Sequence, residues 1–337
     1  MKLFEPKRVF IEERAMEYPL GKEIKERYQK KDIPIKMIES HNRIDWGEKE
    51  LPKKELFELA KSTLVVGVKK TLRFQSCKPS ADYRLVTGTS CPAYCQYCYL
   101  AATLGSAVYI RVYVNFEEIL EAVKKHIKKS DKPITTFEAS SSSDPLAVEH
   151  ITGHLKRLIP FFAQRDDARL RAVTKFANVD SLLDLEHNGN TRFRFSLNSK
   201  YVIDSFEQKT ASMAERVEAA GKIQEAGYPL GFILAPLMIY DGWKEGYTEM
   251  LELLQQTLRN PEEKMTFELI MHRYTTKAKN IIEARYPNTK LDFSKENREH
   301  KGFGKYVYQE DVAKELESFM REKVKKYFPN ANVEYFT

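Results

Sequence analysis

From residue 86 onward, short apolar runs rich in β-branched residues alternate with longer segments whose apolar positions recur at helical spacing. The predicted strands are 109–114, 134–139, 169–174, 192–198, 230–236 and 266–272. The predicted helices between and after them are 116–128, 147–163, 179–185, 213–225, 247–258 and 276–285. Because strands that alternate with helices across short connections run parallel, the pattern predicts an incomplete (β/α)6 TIM-like barrel.

The pattern of residues 1–84, before this alternation, predicts a small α/β unit. Its strands are predicted at 8–11, 33–38 and 62–68, and a helix at 53–61. We therefore expect an N-terminal α/β domain over residues 1–84 and a barrel domain over residues 85–337.

The C-terminal segment adds a separate element to the barrel. Residues 297–308 mix basic, aromatic and glycine residues, and two glycines flank Phe303, a pattern typical of a β-hairpin tip. A helix over 311–327 and a closing strand over 331–336 follow. The expected fold is thus α/β, with a hairpin and a helix at its C-terminal end.

Three of the four cysteines lie close together, at Cys91, Cys95 and Cys98, in the spacing C-x3-C-x2-C. A closed zinc site needs four ligands, and no second pair follows at finger spacing. Iron–sulfur cubanes are normally held by four thiolates, so three would leave one iron open. We interpret the loop as the holder of a 4Fe-4S cluster; buried free thiols, or a zinc knuckle that borrows a histidine, are the alternatives. The loop also resembles the signature of radical S-adenosyl-L-methionine (SAM) enzymes, in which the open iron chelates SAM.

Composition narrows the cellular setting. Four cysteines, three of them clustered, favour a reducing cytosol over a disulfide scaffold. No apolar run reaches transmembrane length, and the first residues do not predict a signal peptide, so a cytoplasmic protein without a membrane partner is expected. The net charge of +7 permits a polyanionic partner without requiring one.

Collinear motifs extend almost from one end of the chain to the other. They include E-Y-P-L-G at 17–21, T-L-V-V-G-V-K-K-T-L-R-F at 63–74, K-P-S-A-D-Y at 78–83, Y-C-Y-L at 97–100, R-V-Y-V-N at 111–115, V-T-K-F at 173–176, H-N-G-N-T-R-F-R-F-S at 187–196 and G-K-Y-V-Y at 304–308. In these motifs the chain resembles the spore photoproduct lyase family, radical SAM enzymes that reverse a dithymine lesion in DNA.

The resemblance implies a mechanism and partners. A SAM-derived 5′-deoxyadenosyl radical would take hydrogen from C6 of the dihydrothymine half of the lesion, the methylene bridge would break, and a hydrogen atom would return to the remaining thymine radical. The implied partners are double-stranded DNA carrying the lesion and a reductant protein of flavodoxin or ferredoxin type. The protein is expected to act as a monomer, in the spore core if its source sporulates.

The chain departs from better-known family members at the hydrogen donor. They carry a cysteine two residues after the alanine of an F-E-A motif, which this chain has at 137–139, and at that position this chain has Ser141. A serine O–H bond is too strong for serine to replace the thiol. Either Ser141 is an engineered change, or Cys77 donates the hydrogen, with Tyr97 and Tyr99 as relays. The alternative for Cys77 is a buried small hydrophobe.

The resemblance also assigns binding residues. Lys175 and Ser196 match positions that hold SAM, while Ser143, the backbone of Ala235 and Tyr99 are further candidates. Two basic segments are predicted to contact DNA phosphates, and their candidate residues are Arg273, Lys277, Lys301, Phe303 and Lys305.

The hairpin raises a question about substrate. The Arg-Tyr pair that family members insert into the duplex is missing. Either this sequence omits part of a mobile hairpin tip, or the hairpin is short and Phe303 serves as the wedge. Two other functions therefore stay open: a radical SAM enzyme with a different substrate, and a non-enzymatic iron–sulfur protein that binds DNA.

Overall fold

The computed structural model describes residues 2–47, 51–105 and 107–337. Within these ranges the strands, in chain order, are β1 (Arg8–Glu12), β2 (Ile35–Ile38), β3 (Thr63–Gly67), β4 (Ser76–Cys77), β5 (Ala81–Arg84), β6 (Gly88–Thr89), β7 (Tyr94–Cys95), β8 (Ile110–Tyr113), β9 (Thr135–Glu138), β10 (Ala168–Thr174), β11 (Thr191–Leu197), β12 (Glu207–Gln208), β13 (Leu230–Leu237), β14 (Thr266–Met271), β15 (Tyr274–Thr275), β16 (Arg298–His300), β17 (Lys305–Tyr308) and β18 (Asn332–Phe336).

The α-helices follow the same order. They are α1 (Pro19–Gln29), α2 (Lys53–Lys61), α3 (Tyr99–Thr103), α4 (Phe116–Lys128), α5 (Glu149–Thr152), α6 (His154–Ala163), α7 (Lys200–Phe206), α8 (Met213–Glu225), α9 (Trp243–Thr257), α10 (Thr276–Arg285) and α11 (Glu310–Tyr327). Short 3-10 turns occupy Glu13–Glu17, Leu146–Val148 and Asp180–Leu182. None of the helices in the described ranges is long and apolar enough to cross a membrane.

Two sheets organise the chain. The larger has the order β18-β14-β13-β11-β10-β9-β5-β4, and its neighbours from β5 to β18 run parallel. Helices α4, α6, α8 and α9 contribute apolar faces to the core that packs against this sheet. This is the incomplete TIM-like barrel that the alternation predicted. Because its strands are parallel, their C-terminal ends share one rim, where chemistry gathers in such folds.

The smaller sheet has the order β2-β1-β3-β8-β6, with β1, β2, β3 and β8 parallel. The sequence assigned the strand at 109–114 to the barrel, and this was wrong: β8 pairs with β3 instead. Its place in the barrel is taken by β5, which pairs in parallel with β9. The apolar pattern of a sequence identifies a buried strand such as β8, but it does not identify the strand with which β8 pairs. β5 has only four residues and is mostly polar, so the pattern does not reveal it as a strand. The domain boundary at residue 84 stays a prediction. β5, which ends at this boundary, belongs to the larger sheet, whereas β8, which follows it, belongs to the smaller sheet.

Most other predicted elements are confirmed within a few residues, and two helices differ. The helix predicted at 147–163 is interrupted at Gly153, whose φ of +59° is a left-handed value that ends α5. The helix predicted at 179–185 is only a 3-10 turn. The hairpin is confirmed, and β15, β17 and β16 form a three-stranded antiparallel sheet.

Candidate functional site

The cysteine loop runs between the two sheets and is fixed to the barrel rim beside β9. Ser90 donates its backbone N–H to the carbonyl of Ser142 at 2.8 Å, and Ser142 Oγ donates to the carbonyl of Gly88 at 2.8 Å. Further along, the buried ammonium of Lys61 donates to the carbonyl of Cys91. The loop is therefore held from both sides.

The three loop cysteines are near enough to influence one another electrostatically. Cys95 is buried, while Cys91 and Cys98 are half-buried. Burial raises the pKa of Cys91 to about 11, and the charge of Cys98 adds to the rise. Burial also raises the pKa of Cys95 well above its ordinary value, with Cys98 and Cys91 contributing. In the described part of the chain, no group of three or more His, Cys, Asp or Glu side chains is arranged to hold a metal ion.

A buried carboxylate connects this loop to the barrel. Glu207 lies on β12, which pairs in antiparallel fashion with β7, so that Glu207 faces Cys95. Its carboxylate accepts hydrogen bonds from Lys175 Nζ at 2.9 Å and from Arg216 at 2.6 Å, and also from the hydroxyl of Tyr97. Burial alone would raise the pKa of Glu207, but the cations of Lys175 and Arg216 outweigh burial and lower the pKa to about 2. Glu207 is thus a permanent anion between two cations.

Lys175 and Ser196 are brought together by two neighbouring strands of the larger sheet. Lys175 follows β10, Ser196 lies on the neighbouring β11, and Lys175 Nζ donates to Ser196 Oγ at 2.8 Å. The same ammonium also bonds Tyr97 Oη at 3.1 Å. With Glu207, all three ammonium hydrogens of Lys175 have partners.

Sequence reasoning missed Glu207 and Arg216. Neither lies in a motif with a recognisable spacing, and Arg216 is on the buried face of α8. The sequence offered no local signal, because Arg216 lies among other charged residues of α8. Its burial, and therefore its need for an acidic partner, is visible only in the structure.

Asp144 and Ser143 complete the rim at the end of β9. Asp144 accepts hydrogen bonds from Thr174 Oγ1 at 2.9 Å and from the backbone N–H of Lys175 at 2.8 Å, and its burial raises the pKa to about 6. Ser143 is buried and forms an isolated parallel bridge with Ser90. Ala235, near the end of β13, is half-buried on the same rim.

The two candidate hydrogen-donor positions differ in their surroundings. Ser141 Oγ is buried and has no hydrogen-bond partner among the described residues. Cys77 lies on β4 at the sheet edge, half-buried, within electrostatic range of Arg84, Arg194 and Glu268. Arg194 and Ser196 are two residues apart on β11 and so share a face. Cys77 is therefore near the charged side chains of β11 and β14, on the edge strand of the larger sheet.

The two candidate relay tyrosines are placed differently. Tyr97 is bonded to Glu207 and Lys175, whereas Tyr99 begins α3 and is 58% exposed. Tyr97 thus belongs to the buried network and Tyr99 faces the open side of the loop.

The candidate DNA residues form a second group on the hairpin and beside it. Phe303 is fully exposed at the tip, with φ of +47°, between two glycines that also have positive φ. Arg273 and Lys277 are exposed, Lys305 is half-buried on β17, and Lys301 pairs with Glu299 at 2.7 Å. Buried Arg298, which the sequence did not single out, fixes the hairpin base by donating to the carbonyl of His272 at 2.6 Å.

Helix α10 connects this hairpin to the cysteine loop. Arg285 donates to the carbonyl of Ala101 at 2.6 Å and to that of Gly105 at 2.9 Å. Just beyond the helix, Thr289 donates to Gln96 Oε1 at 2.5 Å. The two groups of candidate residues therefore share one supporting element.

Comparison with known proteins gives matches over the whole chain. The family model described as spore photoproduct lyase matches residues 4–337. The chain is 48% identical to a spore photoproduct lyase of Bacillus subtilis over 342 residues, which covers 99% of each chain. A solved spore photoproduct lyase complexed with dinucleoside spore photoproduct is 46% identical, with a TM-score of 0.94 and full coverage of both chains. A doubly substituted spore photoproduct lyase, one cysteine changed to alanine and one serine to cysteine, was solved with bound AdoMet and the same dinucleoside; it is 47% identical, with a TM-score of 0.93 and full coverage of both chains.

Proposed function

Because this chain belongs to the spore photoproduct lyase family, we propose that it is a DNA repair lyase that converts the spore photoproduct in double-stranded DNA back to two thymines by radical SAM chemistry. The observation that carries this proposal is the full-length match to a relative solved with AdoMet and the lesion together.

The cysteine loop would hold a 4Fe-4S cluster through Cys91, Cys95 and Cys98. The three thiols come from one loop and lie within electrostatic range of one another. A cubane binds each thiolate through a different iron, so the sulfurs need not surround one ion. With SAM bound, the cluster would supply the reducing electron that generates a carbon radical from SAM.

Lys175 and Ser196 would hold SAM at the rim, with Ser143, Tyr99 and the backbone of Ala235 beside them. Lysine suits a carboxylate as a compact point charge. Since Glu207, Tyr97 and Ser196 use all three ammonium hydrogens, a carboxylate ligand must displace one of them. Arg216 keeps Glu207 charged and in place during such an exchange.

Cys77 would return the hydrogen atom to the thymine methyl radical. The S–H bond of Cys77 would break as the methyl C–H bond forms. The sulfur radical left behind would regain a hydrogen atom from 5′-deoxyadenosine, relayed by Tyr97 or Tyr99, as SAM is regenerated. Burial raises the pKa of Cys77, which keeps the thiol protonated at neutral pH. In this proposal Ser141 does not donate the hydrogen atom. The alternative to donation by Cys77 is that Ser141 is an engineered replacement of a donor cysteine.

The hairpin would grip the duplex around the lesion. A base that undergoes chemistry must leave the stack, and Phe303 is an exposed apolar side chain of the kind that separates base steps. Arg273, Lys277, Lys301 and Lys305 would neutralise phosphates beside it.

The experiment is anaerobic reconstitution with iron and sulfide, reduction with dithionite, and incubation with SAM and a dinucleotide that carries the spore photoproduct. The expected result is a brown protein that forms thymidylyl-thymidine. SAM cleavage without lesion turnover would favour a different substrate, and a protein that binds neither iron nor SAM would favour a non-enzymatic role.

A further inference from the structure

The cysteine loop has two sides, and the proposed chemistry uses one of them. Tyr97 turns its hydroxyl toward Lys175 and Glu207. Tyr94, between Cys91 and Cys95, instead packs its ring edge-on against Phe57 of α2, with ring centroids 5.5 Å apart. The Tyr94 side of the loop therefore faces the smaller sheet, away from the SAM residues.

Cations gather on this second side. Lys209 Nζ lies 3.9 Å from the centroid of the Tyr94 ring, and Lys61 Nζ lies 5.8 Å from it. Lys7 is within electrostatic range of Lys209, as is one carboxylate, that of Glu58. Lys7 and Lys209 are both exposed, and neither forms an ion pair within the described ranges.

A fourth cation extends this surface toward Cys98. The Arg285 guanidinium lies 4.6 Å from the centroid of the Phe57 ring and within electrostatic range of Cys98. We call the surface formed by Lys7, Tyr94, Lys209 and Arg285 the Tyr94 face; the ammonium of Lys61 is buried beneath it.

Lys209 is held over Tyr94 in an unfavourable backbone conformation. Its φ of +59° is left-handed, which residues with a side chain rarely adopt. The preceding residue, Gln208, pairs with Tyr94 in the β7–β12 ladder, so Lys209 directly follows the strand that binds the cysteine loop. Strain of this kind is concentrated at functional positions.

We propose that the Tyr94 face docks a small acidic electron-carrier protein, which is oxidised by one electron as the cluster is reduced by one. This inference rests on the proposed function. Surplus positive charge beside the loop complements an acidic partner and speeds its encounter. Electron-transfer complexes are small and transient, so a face of a few residues is sufficient. Docking here would leave the rim and the hairpin free for SAM and DNA.

The test uses full-length reconstituted protein and a purified acidic flavodoxin as the probe. The dissociation constant is measured at low and high ionic strength for the unmodified protein and for the double variant Lys7→Glu, Lys209→Glu. The matched control, Lys125→Glu with Lys264→Glu, changes net charge equally at two exposed lysines elsewhere on the chain. We expect the Tyr94-face variant to bind flavodoxin on the order of tenfold more weakly at low ionic strength, the control to bind normally, and high salt to remove the difference.

SAM cleavage with two reductants separates docking from chemistry. With dithionite, the variant should cleave SAM at the unmodified rate; with reduced flavodoxin it should be slower. The single variant Lys7→Glu repeats the test without changing Lys209, whose backbone conformation is strained. Equal flavodoxin affinity in the variant and the control would overturn the proposal, as would a variant that loses duplex DNA binding instead. If the unmodified protein does not cleave SAM even with dithionite, the proposed function fails and the docking role fails with it.

Discussion

Glu207 pairs through its backbone with Cys95, while its carboxylate binds the ammonium of Lys175 at 2.9 Å. One buried residue thereby fixes the cysteine loop relative to the candidate SAM residues. Because the protein interior screens charges weakly, the buried carboxylate of Glu207 needs both surrounding cations, Lys175 and Arg216, to stay charged.

Replacing Glu207 by Gln should destabilise the protein by about 3 kcal/mol, because Arg216 would remain buried without a counter-charge. Urea unfolding of the metal-free protein measures the change. Glu117→Gln is the control, since its pair with Arg157 is exposed and should contribute at most about 1 kcal/mol. Equal losses in the two variants would contradict the assignment of Glu207 as a structural anion.

Lys175→Met should weaken SAM binding by about ten- to a hundredfold, the range expected for losing a charged hydrogen bond. Isothermal titration of reconstituted protein with SAM measures the affinity. Lys200→Met, at an exposed lysine that pairs with Asp204, should bind SAM normally. A SAM affinity that is unchanged in Lys175→Met would remove Lys175 from the binding site.

Cys77→Ala should still consume lesion and SAM, yet yield by-products in place of clean thymidylyl-thymidine, because the thymine radical would lack its thiol donor. Chromatography with mass spectrometry resolves the products. Adding Ser141→Cys to this variant should restore clean repair by returning a thiol near the rim. Undiminished clean repair by Cys77→Ala would exclude Cys77 as the donor.

Arg273→Ala should weaken duplex binding about equally for all sequences and reduce the slope of log affinity against log salt by about one, as expected for the loss of one phosphate contact. Fluorescence anisotropy over a salt series gives both quantities. Lys290→Ala, at an exposed lysine outside the candidate DNA group, serves as the control. A slope that matches the control would place Arg273 outside the interface.

His154 should make stability depend on pH. Its burial, assisted by Arg157, lowers the pKa to about 3. Between the unfolded value of about 6.5 and this folded value, the unfolded chain binds the proton and the folded chain does not. Stability should therefore fall as pH drops through this range, by up to about 1.4 kcal/mol per pH unit from this residue.

The variant His154→Phe retains the ring that stacks on Phe116 and removes this proton. Urea unfolding of the metal-free protein between pH 6 and pH 4 should give a shallower slope for His154→Phe than for the unmodified chain. The exposed His300, changed to Gln, should leave the slope as it was. Parallel slopes for His154→Phe and the unmodified protein would contradict the buried neutral state.

Much of the fold follows from local pattern. The helices at Phe116–Lys128 and Met213–Glu225 were predicted with the same bounds, because apolar spacing and end signals act within a few residues. The strand at 109–114 was correctly located but assigned to the wrong sheet, since pairing is decided by contacts between distant segments.

The sequence by itself determined the cysteine spacing, the strand–helix alternation and the family, because each of these is written in nearby residues or collinear motifs. Only the tertiary structure decided that Glu207 joins Cys95 to Lys175, that Cys77 comes within electrostatic range of Arg194, and that Lys209 lies over the Tyr94 ring. The physical reason is that ion pairs and buried contacts depend on distance in space. Residues far apart along the chain acquire such partners only when the sheets bring them together.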